Sequence, residues 1–200
     1  MKLLYVDCCI SQRGENSRTA RLCRSFLEAA SECDPQLQIE QLDLTNMELQ
    51  PFTVEMLNQR DARMREKKFE APEYALARQF RDADGIVVGA PFWDLTFPAQ
   101  LRIYIEHISA NGITYYYDEK GPHGSCRAKW LVYLTTGGDY ERAGSLGAAC
   151  WEQLCVMYGI GRYDWLFAGG LDAAPEDAEK NLEAVCPKAR ALARMRMSSD

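Results

Sequence analysis

Apolar positions along this chain follow two alternating patterns. Short, nearly continuous apolar runs occur at Leu3–Val6, Asp84–Ala90, Lys129–Thr135 and Tyr163–Ala168. Runs of that length, rich in branched and aromatic residues, read as strands, those at Leu3–Val6 and Asp84–Ala90 as buried central ones. Leu37–Leu44 alternates apolar and polar residues, as expected of a strand near a sheet edge. Between these runs the apolar residues return at helical spacing. In Ser17–Ser31 the side chains of Cys23, Phe26, Leu27 and Ala30 share one face, and Arg21, Arg24 and Glu28 lie elsewhere. Helices are likewise predicted over Pro72–Ala83, Pro98–Ala110, Ser145–Tyr158 and Pro175–Met197. Pro98 and Pro175 suit first turns, where a missing N–H costs nothing, and Pro187 is expected to kink or interrupt the last helix. Asn111-Gly112 offers left-handed cap chemistry after the helix at 98–110. Val54–Phe69 is so highly charged that it reads as a solvated helix, and Ile113–Arg127 reads as a long connection.

Five strands separated by helices predict an α/β fold with a parallel, doubly wound five-stranded sheet, in the order 2-1-3-4-5, and helices on both faces. The 200 residues suffice for one sizeable core, and residues 1–200 show neither internal repeat nor linker, so a single domain is expected. A net charge of −6 argues against a nucleic-acid surface. No apolar run approaches the roughly 20 residues that span a bilayer, and the N-terminus turns acidic at Asp7 too soon for a signal peptide, so no membrane partner and a cytoplasmic location are expected. The eight cysteines are dispersed, with no Cys-x-x-Cys pair, and only His107 and His123 accompany them. That spacing predicts no metal site, and thiols packed as small hydrophobes in a reducing compartment.

Three loops carry candidate chemistry, and all three follow strands. The first, Cys8–Thr19, joins a strand to a helix N-terminus and holds Ser11, Arg13, Ser17, Arg18 and Thr19. Exposed backbone N–H groups and the helix dipole make such an end suitable for an anion; capping by Asn16 or Ser17 accounts for the same residues. The glycine spacings of a P-loop and of a dinucleotide fingerprint are both absent. The second loop, Pro91-Phe92-Trp93-Asp94-Leu95, hangs two aromatic rings and an acid at a strand end. The third, Thr135-Thr136-Gly137-Gly138-Asp139-Tyr140, pairs hydroxyl donors with glycines that admit close backbone approach. Core aromatics and a simple turn explain the second and third when each is taken alone. In the predicted strand order, however, all three meet at one sheet edge, beside the topological switch point where open α/β sheets bind ligands. A ligand with a phosphate and a flat ring system suits them.

These segments resemble the flavodoxin-like NAD(P)H:quinone oxidoreductases and FMN-dependent NADH-azoreductases. The likeness spans residues 9–19, 90–112, 124–129 and 135–140, and its most specific part is the proline, two aromatics and later Pro98-x-x-Leu101-Arg102. The resemblance implies an FMN enzyme that takes a hydride from NADH or NADPH and, by a ping-pong scheme, passes two electrons to a quinone, azo or nitro compound. It implies phosphate-binding positions at Cys9, Ser17, Arg18 and Thr19, with Ser11 in the same loop. It also implies ring contacts from Pro91, Phe92, Trp93, Asp94, Leu95, Thr135, Thr136, Gly137 and Gly138. Tyr140 and Trp93 would stack on nicotinamide or acceptor. A homodimer is implied as well, covering aromatics such as Tyr115, Tyr116 and Trp151. The chain departs from the family pattern in carrying Cys9 where serine is frequent and Asp94 where asparagine is frequent; a carboxylate accepts hydrogen bonds but donates none.

Three rival readings follow from the same residues. A flavodoxin-type electron carrier suits the acidity but not the long segment at 45–80. A hydrolase finds no metal cluster and no clear Ser-His-Asp set. A redox sensor built on Cys8-Cys9 would require a disulfide between adjacent residues, which is strained.

Overall fold

The computed structural model describes residues 1–10, 13–138, 145–172 and 174–198. A five-stranded parallel sheet is built from β1 (Lys2–Asp7), β2 (Gln38–Asp43), β3 (Gly85–Pro91), β6 (Trp130–Thr136) and β7 (Arg162–Ala168). A separate antiparallel hairpin consists of β4 (Tyr115–Asp118) and β5 (Gly121–Gly124). The order in the sheet is β2-β1-β3-β6-β7. Set against the expected 2-1-3-4-5, the labels differ because the hairpin supplies two strands in a stretch that reads as a connection. The three central strands are those with continuous apolar runs: Leu3, Leu4 and Val6 in β1, Ile86 to Val88 in β3 and Leu131 to Leu134 in β6 are all wholly buried. β2, at one edge, keeps exposed positions along its length.

Helices α1 (Arg18–Cys33) and α6 (Pro175–Met197) cover one face of the sheet, and α3 (Ala75–Asp82), α4 (Ala99–Ile108) and α5 (Ser145–Tyr158) the other. The buried stripe of α1 is Leu22, Cys23, Phe26, Ala29 and Ala30, with Leu27 only half-buried at its margin. It packs on Leu182, Ala189 and Ala193 of α6. α2 (Val54–Arg65) buries no residue, in keeping with its charge, and stops four residues short of the expected Phe69. The helix expected from Pro72 begins instead as a 3₁₀ turn over Pro72–Tyr74, followed by α3.

Three local expectations are corrected. Pro187 does not interrupt α6. It lies on the exposed side, where the carbonyl it frees is open to water, while Leu182 and Ala189 hold the helix on α1 from either side. Gly112 is not the cap of α4, which ends at Ile108; its positive φ of 84° serves a turn that pairs Asn111 with Tyr115. Trp151 is not an exposed aromatic but wholly buried, and Tyr115 is half-buried, whereas Tyr116 is exposed.

Candidate functional site

Because the sheet is parallel, the loops after β1, β3, β6 and β7 open at one edge. They line a cleft of about 260 Å³ bounded by Cys9, Arg13, Ser17, Arg18, Thr19, Pro91, Phe92, Trp93, Thr136, Gly137, Gly138, Leu171 and Asp172. Eleven of the residues singled out in the sequence are thus brought together, from three loops far apart in the chain.

The anion-suited end lies at the start of α1. Ser17 is the N-cap: its Oγ accepts a hydrogen bond from the Ala20 N–H at 3.3 Å, which leaves its own proton free. Capping and ligand binding are therefore compatible uses of one hydroxyl. Thr19 Oγ1 lies 2.5 Å from Thr136 Oγ1, a buried pair that pins the first turn of α1 to the end of β6. Arg18 is half-buried and donates through Nη1 to the Leu171 carbonyl, which ties α1 to the loop after β7. The Arg13 guanidinium, in the turn before α1, makes no hydrogen bond or ion pair among the described residues, so its charge is available to the cleft.

Cys9 lines the cleft, yet its thiol is turned inward, 4.0 Å from the Tyr5 hydroxyl, while its backbone N–H donates to Asp7 Oδ1 at 3.0 Å. The hydrogen bond with Cys23, followed by burial, raises the pKa of the Cys9 thiol well above the ordinary thiol range, so it is a neutral group. Burial likewise pushes Cys8 up to about 12.

The aromatic loop leaves β3 through Pro91, and Phe92 donates its N–H to the Thr136 carbonyl at 2.8 Å. Trp93 is 46% exposed at the rim. The next two residues, Asp94 and Leu95, both take the left-handed backbone conformation, with φ of 46° and 72°. For residues other than glycine this costs on the order of 1–3 kcal/mol each, and such strain gathers at ligand sites. Their side chains point to solvent rather than into the cleft, and their backbone N–H groups donate to nothing among the described residues.

The glycine loop is shaped by close approach. A Cβ on Gly137 would lie 3.1 Å from the Phe167 ring and 3.2 Å from Phe92 Cβ. Thr135, by contrast, does not face the cleft: it is fully buried, and its Oγ1 has no hydrogen-bond partner. Side chains alternate faces along a strand; Thr135 sits with Tyr133 and Leu131 toward α4 and α5, and Thr136 faces α1. Ser11 and Tyr140 lie outside the described residues. The sequence reading missed the loop after β7, Gly169-Gly170-Leu171-Asp172, although its paired glycines at a strand end repeat the signal of Gly137-Gly138.

A larger groove of about 500 Å³ lies beside this cleft, between β1, β2 and α1. Its carboxylates are already engaged: Asp7 accepts from Gln41 at 2.9 Å, and Asp43 from Thr45 and Asn46. The larger groove is lined by one arginine, Arg24, whereas two arginines and the glycine pair belong to the smaller cleft, which is therefore the better candidate. Among the described residues no group of histidines, cysteines and acids has metal-binding geometry.

Fold and site together define a doubly wound α/β protein with an anion-suited, aromatic-walled cleft at its switch point. The chain belongs to the family of the flavodoxin-like fold, whose model matches residues 1–192. It is 30% identical over 195 residues to an FMN-dependent NADH:quinone oxidoreductase of Clostridium perfringens, covering 96% of this chain and 98% of that protein. It is 33% identical over 192 residues to FMN-dependent NADH:quinone oxidoreductase 1 of Pseudomonas putida, covering 92% and 94% respectively. Among solved structures, an azoreductase from Bacillus anthracis superposes with a TM-score of 0.79 at 27% identity, covering 98% of this chain and 99% of that one.

Proposed function

We propose that this protein is an FMN-dependent oxidoreductase that uses NADH or NADPH to reduce quinones, azo compounds or related aromatic acceptors. The observation that carries the reading is the meeting of two arginines, a helix N-terminus, an aromatic wall and a glycine pair in one cleft. The residues present fit such a cofactor: the donors Arg13, Arg18 and Ser17 suit a phosphate, and the wall of Pro91, Phe92 and Trp93 facing the glycine pair suits a flat ring.

When bound, FMN supplies the redox chemistry, accepting a hydride from the pyridine nucleotide and giving two electrons to the acceptor. The chain binds and orients. Arg13, Arg18, Ser17 and the free N–H groups at the start of α1 would hold the phosphate. Thr19 and Thr136 keep that end fixed to the sheet. Phe92 and Pro91 wall the ring, and the Gly138 N–H, which donates to nothing among the described residues, would meet a ring carbonyl. Fixed backbone donors of this kind stabilise negative charge where it gathers. Trp93, at the open rim, would stack on nicotinamide and then on the acceptor, in turn, as a ping-pong scheme requires; Tyr140 is proposed to share that task. The Asp94 and Leu95 backbone N–H groups take the donor part that an asparagine side chain would play.

The same reading includes a single FMN-binding domain over residues 1–200, a homodimer and a cytoplasmic setting. Exposed Leu146 and Val156 on α5 and Tyr116 and Tyr117 on the hairpin support a partner surface. Eight unpaired cysteines support a reducing compartment, and no helix among the described residues is long and apolar enough to cross a membrane. The test is to add FMN to the purified protein and follow flavin absorbance anaerobically on mixing with NADH or NADPH, then with a quinone. Bleaching by a pyridine nucleotide and recovery with the quinone is expected. Bound flavin that neither nucleotide bleaches would favour an electron carrier, and no flavin binding would refute the reading of the cleft.

A further inference from the structure

Asp172 stands apart from the other groups in the cleft. It is the only carboxylate among the lining residues, which otherwise offer mainly donors. It makes no hydrogen bond or ion pair among the described residues. Its side chain lies directly against Gly138: a Cβ there would fall 2.0 Å from Asp172 Oδ2. Close approach of a carboxylate to this stretch of backbone is therefore possible only because residue 138 is glycine. The loop that carries it is held on three sides. Leu171 N–H donates to the Gly137 carbonyl at 3.1 Å, Asn181 Nδ2 donates to the Gly170 carbonyl at 3.2 Å, and Arg18 donates to the Leu171 carbonyl. An acid on a tied loop, lying beside the free backbone N–H of Gly138, makes an adjacent donor–acceptor pair.

We infer that Asp172 and the Gly138 N–H together read the imide edge of the flavin ring, with Asp172 accepting from the imide N–H and lowering the reduction potential of the bound cofactor. The inference rests on the FMN reading above. An imide presents carbonyl, N–H and carbonyl in a row, so a neighbouring donor and acceptor on the protein complement it; the carboxylate, which only accepts, selects a ring that donates at that position. Two-electron reduction adds negative charge to the same end of the ring. A carboxylate there opposes that charge, screened in part by water because Asp172 is exposed. Asp172 thus favours oxidised over reduced FMN and makes the reduced protein a stronger donor.

The experiment compares wild type with Asp172→Asn and Asp172→Ala, loaded with FMN or riboflavin, by anaerobic redox titration and by flavin fluorescence titration. Asp172→Asn keeps shape and a hydrogen-bonding carbonyl but removes the charge. It should tighten reduced relative to oxidised flavin by about tenfold, which for two electrons is a rise of about 30 mV. The same rise is expected with riboflavin, because the effect acts on the ring. Asp172→Ala should also raise the potential and should weaken binding of oxidised flavin. Unchanged potentials in both variants would overturn the inference. So would an Asp172→Asn effect confined to FMN, which would put the acid beside the phosphate instead. Failure of wild type to bind either flavin would refute the underlying FMN reading, an outcome distinct from both.

Discussion

Arg18 allows the anion subsite to be tested quantitatively. Its guanidinium carries five N–H donors, and one nitrogen is engaged on the Leu171 carbonyl, which leaves the others for the cleft. A hydrogen bond to a charged partner contributes about 1.5–3 kcal/mol. At about 1.4 kcal/mol per tenfold, that range corresponds to roughly 10- to 150-fold in affinity. Arg18 is only half-buried, so solvent screening favours the lower part, roughly 10- to 30-fold. Arg18→Ala should therefore weaken FMN by that factor in a fluorescence titration at constant salt. The decisive comparison is with riboflavin, which lacks the phosphate. If Arg18 faces the phosphate, the variant loses FMN affinity and keeps riboflavin affinity, so the preference for FMN collapses. Arg18→Lys should retain part of that preference, since the charge remains while the planar fork is lost. An equal loss for both flavins would show that Arg18 acts only as a clamp on the loop after β7, and the phosphate assignment at the start of α1 would be refuted.

Three further outcomes are expected. Gly85→Ala should cost about 1–3 kcal/mol of stability, because a Cβ there would fall 2.5 Å from the buried Trp130 ring; an unchanged urea midpoint would show that the ring moves aside freely. Cys8 and Cys126, both pushed up to about 12 by burial, should resist alkylation in the folded protein, whereas exposed Cys33 reacts first; peptide mapping of iodoacetamide adducts gives the order, and early modification of Cys8 would contradict the packing. Glu40 is held below its ordinary value of 4.5 by Lys2 and then by Gln79. Because the folded form has the lower value, this contribution is complete above the ordinary value and is lost as pH falls through the depressed one, so Glu40→Gln should flatten stability against pH on the acid side only. An unaltered acid limb in urea melts would show that the pair contributes nothing.

What the sequence discloses here divides along physical lines. The central strands were legible because burial on both faces leaves an unbroken apolar run, as in Leu3–Val6 and Leu131–Leu134. Helix starts were legible through Ser17, Pro98 and Pro175, since capping depends on local chemistry. The β4–β5 hairpin was not. Its strands are four residues each and bury little, and they are steadied by local contacts: Tyr116 stacks on His123 with centroids 5.0 Å apart. Such contacts leave no core-facing period to read. In the site, three loops could be joined because a parallel sheet puts every strand end on one edge. The inward turn of the Cys9 thiol could not be foreseen, because it depends on Tyr5 and Cys23 lying within reach once α1 packs. Thr135 is a miss of a different sort: alternation from buried Leu131 and Tyr133 already gives its face, and only the pull of the adjacent Thr136 obscured it.

Rigidity is unevenly distributed across the cleft, and this bears on which residue governs acceptor choice. Its floor is cross-tied from strand to strand: Cys8 N–H to the Gly89 carbonyl at 2.8 Å, Phe92 N–H to Thr136, Gly137 N–H to the Ala168 carbonyl at 3.0 Å, and Thr19 to Thr136. A frame so fixed holds one flat ligand without reorganising, which is how binding geometry is gained at low entropic cost. The rim at Trp93–Leu95 is the opposite. It is exposed, it carries two strained residues, and among the described residues its one local tie is the Thr96 N–H to the Trp93 carbonyl at 2.8 Å. Groups that meet successive partners of different shape belong on such a rim, and groups that hold the cofactor belong on the floor. Trp93→Ala should therefore raise KM for aromatic acceptors severalfold, most for the largest ring systems, while FMN affinity changes far less. Aromatic stacking contributes about 0.5–1.5 kcal/mol beyond area burial, or roughly 2- to 12-fold. Steady-state kinetics with quinones of increasing ring number, alongside a flavin titration of the same variant, separates the two effects. A variant that loses FMN affinity in step with its acceptor KM would place Trp93 in the floor and undo the division argued from the hydrogen bonds.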